Sequence, residues 1–198
     1  MRIDTGAGPA EVALDGPARP AFLLLMTHGA GGGCDTKDIA AVCDSAIEHG
    51  GVAARVTQPY RVAGRRAPGS APAQDAAWLE IVAALRRRYP DTPLVQGGRS
   101  NGARVACRTA VEAGARGVVA LSFPLHPPGK PEKSRREELL ATGDIPVVVI
   151  NGGSDPFGAP DAADAAELLV IPRQPHSFRT GFEQMAATVG PWFERWRD

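Results

Sequence analysis

The sequence predicts a single α/β domain over residues 1–198, with a mostly parallel sheet flanked by helices and no large cap. Three observations carry that prediction. Apolar runs of strand length alternate with longer runs whose apolar residues recur at helical spacing. The pentapeptide Gly98-Arg99-Ser100-Asn101-Gly102 stands between a strand-like run (92–95) and a helix-like run (103–113). The length, 198 residues, suffices for one domain with a real core and leaves no room for a large lid.

In order, residues 11–14 carry weak strand character between Gly/Pro breakers and predict a short edge strand or hairpin. Residues 21–26 (Ala-Phe-Leu-Leu-Leu-Met) are continuously apolar, as in a strand covered on both faces. They end in Thr27-His28-Gly29-Ala30-Gly31-Gly32-Gly33. A helix follows, capped by Asp35 or Thr36, with Ile39, Val42, Cys43, Ala46 and Ile47 on one face, and Gly50-Gly51 stops it. Val52–Thr57 is the next strand, followed by a long loop (58–72) bearing Arg61, Arg65 and Arg66. Residues 73–89 predict a helix with Trp78, Ile81, Val82 and Leu85 inward; Arg86, Arg87 and Arg88 suit its C-terminal dipole. After the pentapeptide and its helix come a strand (118–122), a Pro-rich loop (123–133) and a helix (132–140). Next come a β-branched strand (145–150), a short helix (162–168) and a last strand (168–171). The C-terminal segment to Asp198 has Phe182, Met185, Val189, Trp192, Phe193 and Trp196 at helical spacing, with a bend expected at Gly190-Pro191.

Strand, sharp turn and helix around Gly-x-Ser-x-Gly form the nucleophile elbow of the α/β-hydrolase fold. The glycines are needed because side chains at 98 and 102 would meet the neighbouring strand and helix. The fold places an acid and then a histidine on loops after later strands. Asp155 follows the strand at 145–150 and His176 the strand at 168–171. Asp144 precedes its strand, and Asp161 and Asp164 read as the cap and first turn of a helix. His49 ends an early helix, which leaves His126 as the rival base. Ser100, Asp155 and His176 are therefore the expected catalytic residues. Backbone N–H groups of Ala30 and Asn101 are the expected oxyanion donors.

The turn at 29–33 also begins like a dinucleotide-binding Gly-x-Gly-x-x-Gly, but Cys34 stands at the last glycine. The strand Val52–Thr57 lacks the terminal acidic residue that would hold a ribose, and no Lys-Ser/Thr pair makes a P-loop. His28 is read as a support for the loop. His126, Lys130, Arg65 and Arg66 are expected as substrate contacts, with Lys133 beside them over the pocket.

The charges balance, 22 basic against 22 acidic residues, so no global field points to nucleic acid or to an anionic membrane. Three cysteines without a Cys-x-x-Cys spacing argue against a disulfide framework and a zinc ribbon. Neither a signal peptide nor a membrane span is read. A cytoplasmic monomer or homodimer is expected, acting on a small acyl substrate without cofactor or metal.

The assembled motifs resemble the small α/β-hydrolase-like proteins related to dienelactone hydrolase, a group that includes the hydrolase-like subunit of the NSL histone acetyltransferase complex. The resemblance rests on Thr27-His28-Gly29-Ala30-Gly31-Gly32, Gly64-Arg65-Arg66-Ala67-Pro68 and Gly97-Gly98-Arg99-Ser100-x-Gly102. It rests also on Phe123-Pro124-Leu125-His126-Pro127-Pro128-Gly129-Lys130-Pro131 and Gly152-x-x-Asp155-Pro156-Phe157-Gly158. It implies a cap-less hydrolase with Ser100, Asp155 and His176 as its triad, and it implies no substrate. Asn101 and Ala103 stand where Met and Gly are more usual, and serine stands where dienelactone hydrolase itself has cysteine. The expected function is a serine esterase acting on a small ester, thioester or lactone. The alternative is a hydrolase-fold scaffold that binds a partner.

Overall fold

A computed structural model describes residues 1–197; Asp198 lies outside the described residues. Its centre is an eight-stranded sheet in the order β1-β2-β4-β3-β5-β6-β7-β8. The N-terminal hairpin pairs β1 (Arg2–Thr5) with β2 (Gly8–Asp15). Thr5 Oγ1 closes its turn by donating to the Gly8 carbonyl at 2.6 Å. β2 runs antiparallel to β4 (Val52–Thr57), and from there across β3 (Leu23–Thr27), β5 (Leu94–Arg99), β6 (Gly117–Leu121), β7 (Val147–Gly152) and β8 (Glu167–Ile171) every pairing is parallel.

Helices cover both faces, which is why the central strands are apolar without alternation. Side chains on a strand alternate between faces. Leu25, Val118, Ala120 and Val149 therefore face α3 (Ala71–Arg88) and α4 (Asn101–Ala113), meeting Trp78, Ile81, Val105 and Ala106. Leu24, Met26, Val119 and Ile150 face α1 (Lys37–Glu48) and α6 (Phe182–Trp196), meeting Ile39, Val42, Val189 and Phe193. Beside β3 the chain order reverses, β4 lying on one side and β5 on the other. The loops leaving β3 and β5 diverge there and open a crevice at the carboxyl edge of the sheet.

The elements match the expected ones except at loop-rich ends. The long connection after β4 contains a short helix, α2 (Pro59–Val62), and α3 starts at Ala71, two residues before the expected 73. The helix expected at 132–140 shrinks to α5 (Arg136–Leu140). Successive turns, with Lys130 N–H on the Pro127 carbonyl and Lys133 N–H on Lys130, consume its first residues. The helix expected at 162–168 is one 3₁₀ turn, Ala162–Asp164, capped by Asp161. Glu167 already pairs with Val148, so the ladder of β8 overrides local helix preference. α6 runs unbroken through Pro191. Gly190 lets it press on α1: a Cβ there would lie 2.9 Å from His49 Cε1.

Gly117 opens β6 under the indole of Trp196, where a Cβ would lie 2.1 Å from Cε2. Gly117→Ala must therefore displace a buried ring or shift the strand. The expected outcome is a loss of about 1–3 kcal/mol, read as a lower urea midpoint with the slope retained; an unchanged midpoint would mean that the ring does not rest on this strand.

Candidate active site

Ser100 lies between β5 and α4 with φ 52° and ψ −112°, a backbone region that costs a residue with a side chain on the order of 1–3 kcal/mol. Both flanking glycines are forced by close approach. A Cβ on Gly98 would lie 2.6 Å from the Gly102 carbonyl carbon and 2.8 Å from the Thr27 oxygen. One on Gly102 would lie 2.7 Å from the Thr27 oxygen and 2.8 Å from the His28 oxygen. The turn is fastened to the sheet by Ser100 N–H, which donates to the Leu121 carbonyl at 2.8 Å. Serine thus stands at the carboxyl edge with the positive end of α4 beneath it.

The loops after β7 and β8 bring two further side chains to it. His176 Nε2 lies 2.9 Å from Ser100 Oγ, and His176 Nδ1 lies 2.7 Å from Asp155 Oδ2. The Asp155 side chain is fully buried, while His176 keeps 20% of its side-chain surface. Phe157 N–H donates to the other Asp155 oxygen at 2.9 Å, and the Phe157 ring lies 4.3 Å from the His176 ring. With the carboxylate accepting from Nδ1–H, Nε2 is left as the acceptor facing the serine hydroxyl. Gly152 makes the meeting of the two loops feasible, since a Cβ there would stand 2.3 Å from the Gln174 carbonyl oxygen.

A second layer fixes the histidine backbone. The His176 carbonyl accepts from Ser122 Oγ at 2.9 Å and from Arg99 Nη2 at 3.1 Å. Arg99 also donates to Ser177 Oγ at 2.7 Å, and its Nε lies 3.0 Å from the buried Asp38 carboxylate of α1 as an ion pair. Asn151 performs a similar task for the acid loop: it accepts from Phe123 N–H and donates to the Phe123 and Gly158 carbonyls. Sequence reasoning assigned no role to Arg99, Asp38, Ser122 or Asn151. Only the placement of Arg99 next to the serine hinted at any of them.

The turn after β3 lies against the elbow, a Cβ on Gly29 falling 3.2 Å from Ser100 Cβ. His28 supports it, as expected: its Nε2 accepts from Gln58 N–H at 3.0 Å and its Nδ1–H donates to the Gly29 carbonyl at 2.9 Å. Burial pushes its pKa down, which agrees with a neutral ring. Ala30 N–H engages no acceptor among the described residues, and Asn101 N–H, first in α4, has no intrahelical partner. Both residues line one cleft of about 440 Å³ together with Ser100, His176 and Phe157. The Asn101 side chain has its own task. It donates to Gln74 Oε1 at 2.7 Å, and Gln74 holds the Gly69 carbonyl, so the amide pins the 63–70 stretch beside the elbow.

The expected substrate contacts are placed differently. His126 does not line the Ser100 cleft. Its Nδ1–H donates to the Pro127 carbonyl, and a Cβ on Gly158 would lie 2.6 Å from its Nε2, so it braces the acid loop from behind. Lys130 is exposed on the turn that shortens α5, and Lys133 is exposed after it. Arg65 and Arg66 are exposed; Arg65 borders a separate hollow with Pro59, Tyr60 and Gln74. Of that loop, Pro68 lines the cleft. The cations on the cleft wall are Arg99, Arg104 and Arg135 instead. Sequence reasoning assigned neither Arg104 nor Arg135 a role; the place of Arg104, four residues past Ser100 on the elbow helix, was a usable signal, whereas Arg135 carried no local one.

A model of the alpha/beta hydrolase domain family matches residues 20–180. The chain belongs to this family. Its fold is shared by Est1E from Butyrivibrio proteoclasticus, at 17% identity over 99% of this chain and 98% of that chain, with a TM-score of 0.79. XC6422 from Xanthomonas campestris, a member of a/b serine hydrolase without lid, matches at 19% identity over 99% of this chain and 93% of that one, TM-score 0.74. A dienelactone hydrolase from Anabaena variabilis matches at 17% over 99% and 96%, TM-score 0.77. This α/β hydrolase is accordingly a single sheet with flanking helices, and among the described residues no large cap domain is added to it.

Among the described residues no group of three or more His, Cys, Asp or Glu is placed to hold a metal ion. The three cysteines of the hydrolase are buried away from the cleft, and burial raises each thiol to about 12. Since the thiolate is the reactive form, iodoacetamide at pH 8 should leave Cys34, Cys43 and Cys107 unmodified in native protein and modify all three in urea. Mass spectrometry reads this directly; fast native modification of any one would show that its thiol is exposed.

Proposed function

We propose that this hydrolase is a serine esterase that cleaves a small acyl ester, thioester or lactone through an acyl-enzyme on Ser100. The observation that carries the reading is the continuous relay of two hydrogen bonds, Ser100 Oγ to His176 Nε2 at 2.9 Å and His176 Nδ1 to Asp155 Oδ2 at 2.7 Å.

His176 Nε2 takes the hydroxyl proton as Ser100 Oγ attacks the acyl carbonyl carbon, and the resulting imidazolium is stabilised by the buried Asp155 carboxylate. The carbonyl oxygen becomes an oxyanion facing the free N–H groups of Ala30 and Asn101. Such a donor is worth about 100-fold or more in rate. Collapse expels the alcohol, thiol or lactone oxygen, which takes the proton from His176. Water then enters, gives a proton to the same nitrogen and attacks the acyl-enzyme; Ser100 leaves with that proton returned. Arg99 acts through His176, since its guanidinium and Ser122 hold the histidine carbonyl while Asp38 fixes the guanidinium. The esterase neighbours in the same fold, among them Est1E with bound ferulic acid, agree with ester chemistry as the reaction class. Among the described residues no helix is long and apolar enough to cross a membrane. A cytoplasmic monomer or homodimer without a cofactor completes the proposal.

Fluorophosphonate labelling followed by peptide mapping tests it. Wild type should label on Ser100, Ser100→Ala not at all, and His176→Ala at least about 100-fold more slowly. Asp155→Asn should also be slowed by two orders of magnitude or more, because the amide no longer enforces the useful tautomer. Folded wild type that fails to label would remove the esterase and shift support to a partner-binding scaffold.

A further inference from the structure

The wall of the Ser100 cleft is unusually cationic for a pocket meant to hold a simple alkyl chain. Arg99, Arg104, Arg135 and His176 line it, and no aspartate or glutamate does. The arginine charges are not equally compensated. Arg99 has Asp38. Arg104 is clasped by both oxygens of Glu138, at 2.9 and 2.6 Å. Glu138 also accepts from Arg108, whose remaining donors are held by both oxygens of Asp75 at 2.8 and 2.6 Å. Among the described residues Arg135 has no carboxylate within ion-pair distance, and its one side-chain hydrogen bond there goes from Nη1 to the Pro124 carbonyl at 3.0 Å. Arg104, Arg108 and Arg135 share two carboxylates, Glu138 and Asp75, so this side of the cleft carries one uncompensated positive charge.

A half-buried guanidinium without a counterion is costly unless an anion arrives. Burial and the neighbouring charge of Arg104 lower the Arg135 pKa from its ordinary value, and the Glu138 carboxylate, already held by Arg104 and Arg108, opposes them only in part. A long alkyl chain would strip water from that guanidinium and give nothing in return. A carboxylate would be matched by the planar fork of donors left open after Pro124 is served.

We propose that Arg135, next to Arg104 in the wall of the cleft, binds a carboxylate carried by the substrate, so that the ester cleaved at Ser100 is a short anionic one. The proposal rests on the esterase reading and supplies its substrate class. Arg135 is a specificity residue in it, outside the relay, and the carboxylate makes no bond to the reacting atoms.

Three esters test it on the full chain. 4-Nitrophenyl butyrate is neutral, 4-nitrophenyl hemiglutarate carries the carboxylate on the acyl side, and 4-butyryloxybenzoate carries it on the leaving group. Wild type should prefer one anionic ester over the neutral one by about tenfold or more in kcat/KM, and the ester preferred identifies the side that faces Arg135. Arg135→Gln should cut that preference ratio by about tenfold, while Arg135→Lys keeps part of it because charge survives and the fork does not. Equal rates for all three esters in wild type, or an unchanged ratio in Arg135→Gln, would overturn the proposal; a merely structural defect lowers every rate and leaves the ratio alone. If Ser100 labels with fluorophosphonate but turns over none of the esters, protection of Ser100 by glutarate decides: protection in wild type lost in Arg135→Gln supports the site, and none in wild type removes it. If Ser100 does not label, the esterase reading fails separately. Calorimetric titration with glutarate then judges the anion site by the same comparison of wild type and Arg135→Gln.

Discussion

The whole site depends on how closely the β5–α4 turn passes beneath the end of β3. Gly98 and Gly102 touch each other and the carbonyls of Thr27 and His28 at distances that exclude any Cβ. That contact fixes three things together. It holds Ser100 in a backbone region that side chains avoid, it lays the Gly29–Ala30 turn against the serine, and it aims the N-terminus of α4 at the cleft. A helix start supplies free N–H groups at no further cost in structure. The strain at one residue is met by pairing on both sides, β5 being bonded to β3 and β6 along its length.

Histidine and acid reach this turn from the other end of the sheet, on loops that have little regular structure of their own. Their positions are secured by backbone carbonyls held from several directions. The His176 carbonyl is gripped from β5 and from the residue after β6, and the arginine that grips it is anchored in α1. The Asn151 amide ties the end of β7 to the segments at 123 and 158, and His126 packs under Gly158. The Pro-rich stretch at 123–133, which resembles a family motif, thus contributes to the acid loop as a brace and to the cleft through Pro124.

The cleft is shaped by charge as much as by volume. Its apolar surface is largely Phe157 and prolines, and one of its cations, Arg104, ends a chain of ion pairs running from Asp75 through Arg108 and Glu138. That chain spans α3, α4 and α5 and is partly buried, so it orders the short helix α5 against the elbow helix. Arg135 lies at the cap position of α5 and inherits its place from this packing.

Much of this was legible in the sequence, for a physical reason in each case. Continuous apolar runs announce strands covered on both faces, and Gly-x-Ser-x-Gly between such a run and a helical one encodes a turn that only glycines permit. The same logic marked Asp155 and His176, because both follow strands at the edge where the loops converge. His28 was legible as a support because its turn had to be held. Residues whose role depends on distant partners were not legible. Arg65, Arg66 and Lys130 look like pocket cations in a linear reading, yet all three stand exposed outside the lining of the cleft. Arg135, Asp38 and Ser122 look ordinary and reach the site only through helix packing, strand order and a left-handed backbone at Ser122. Local sterics therefore determined the sheet, the elbow and the order of its partners. Tertiary packing alone decided which charges face the cleft, because an arginine's direction depends on the carboxylates that other elements bring within its reach.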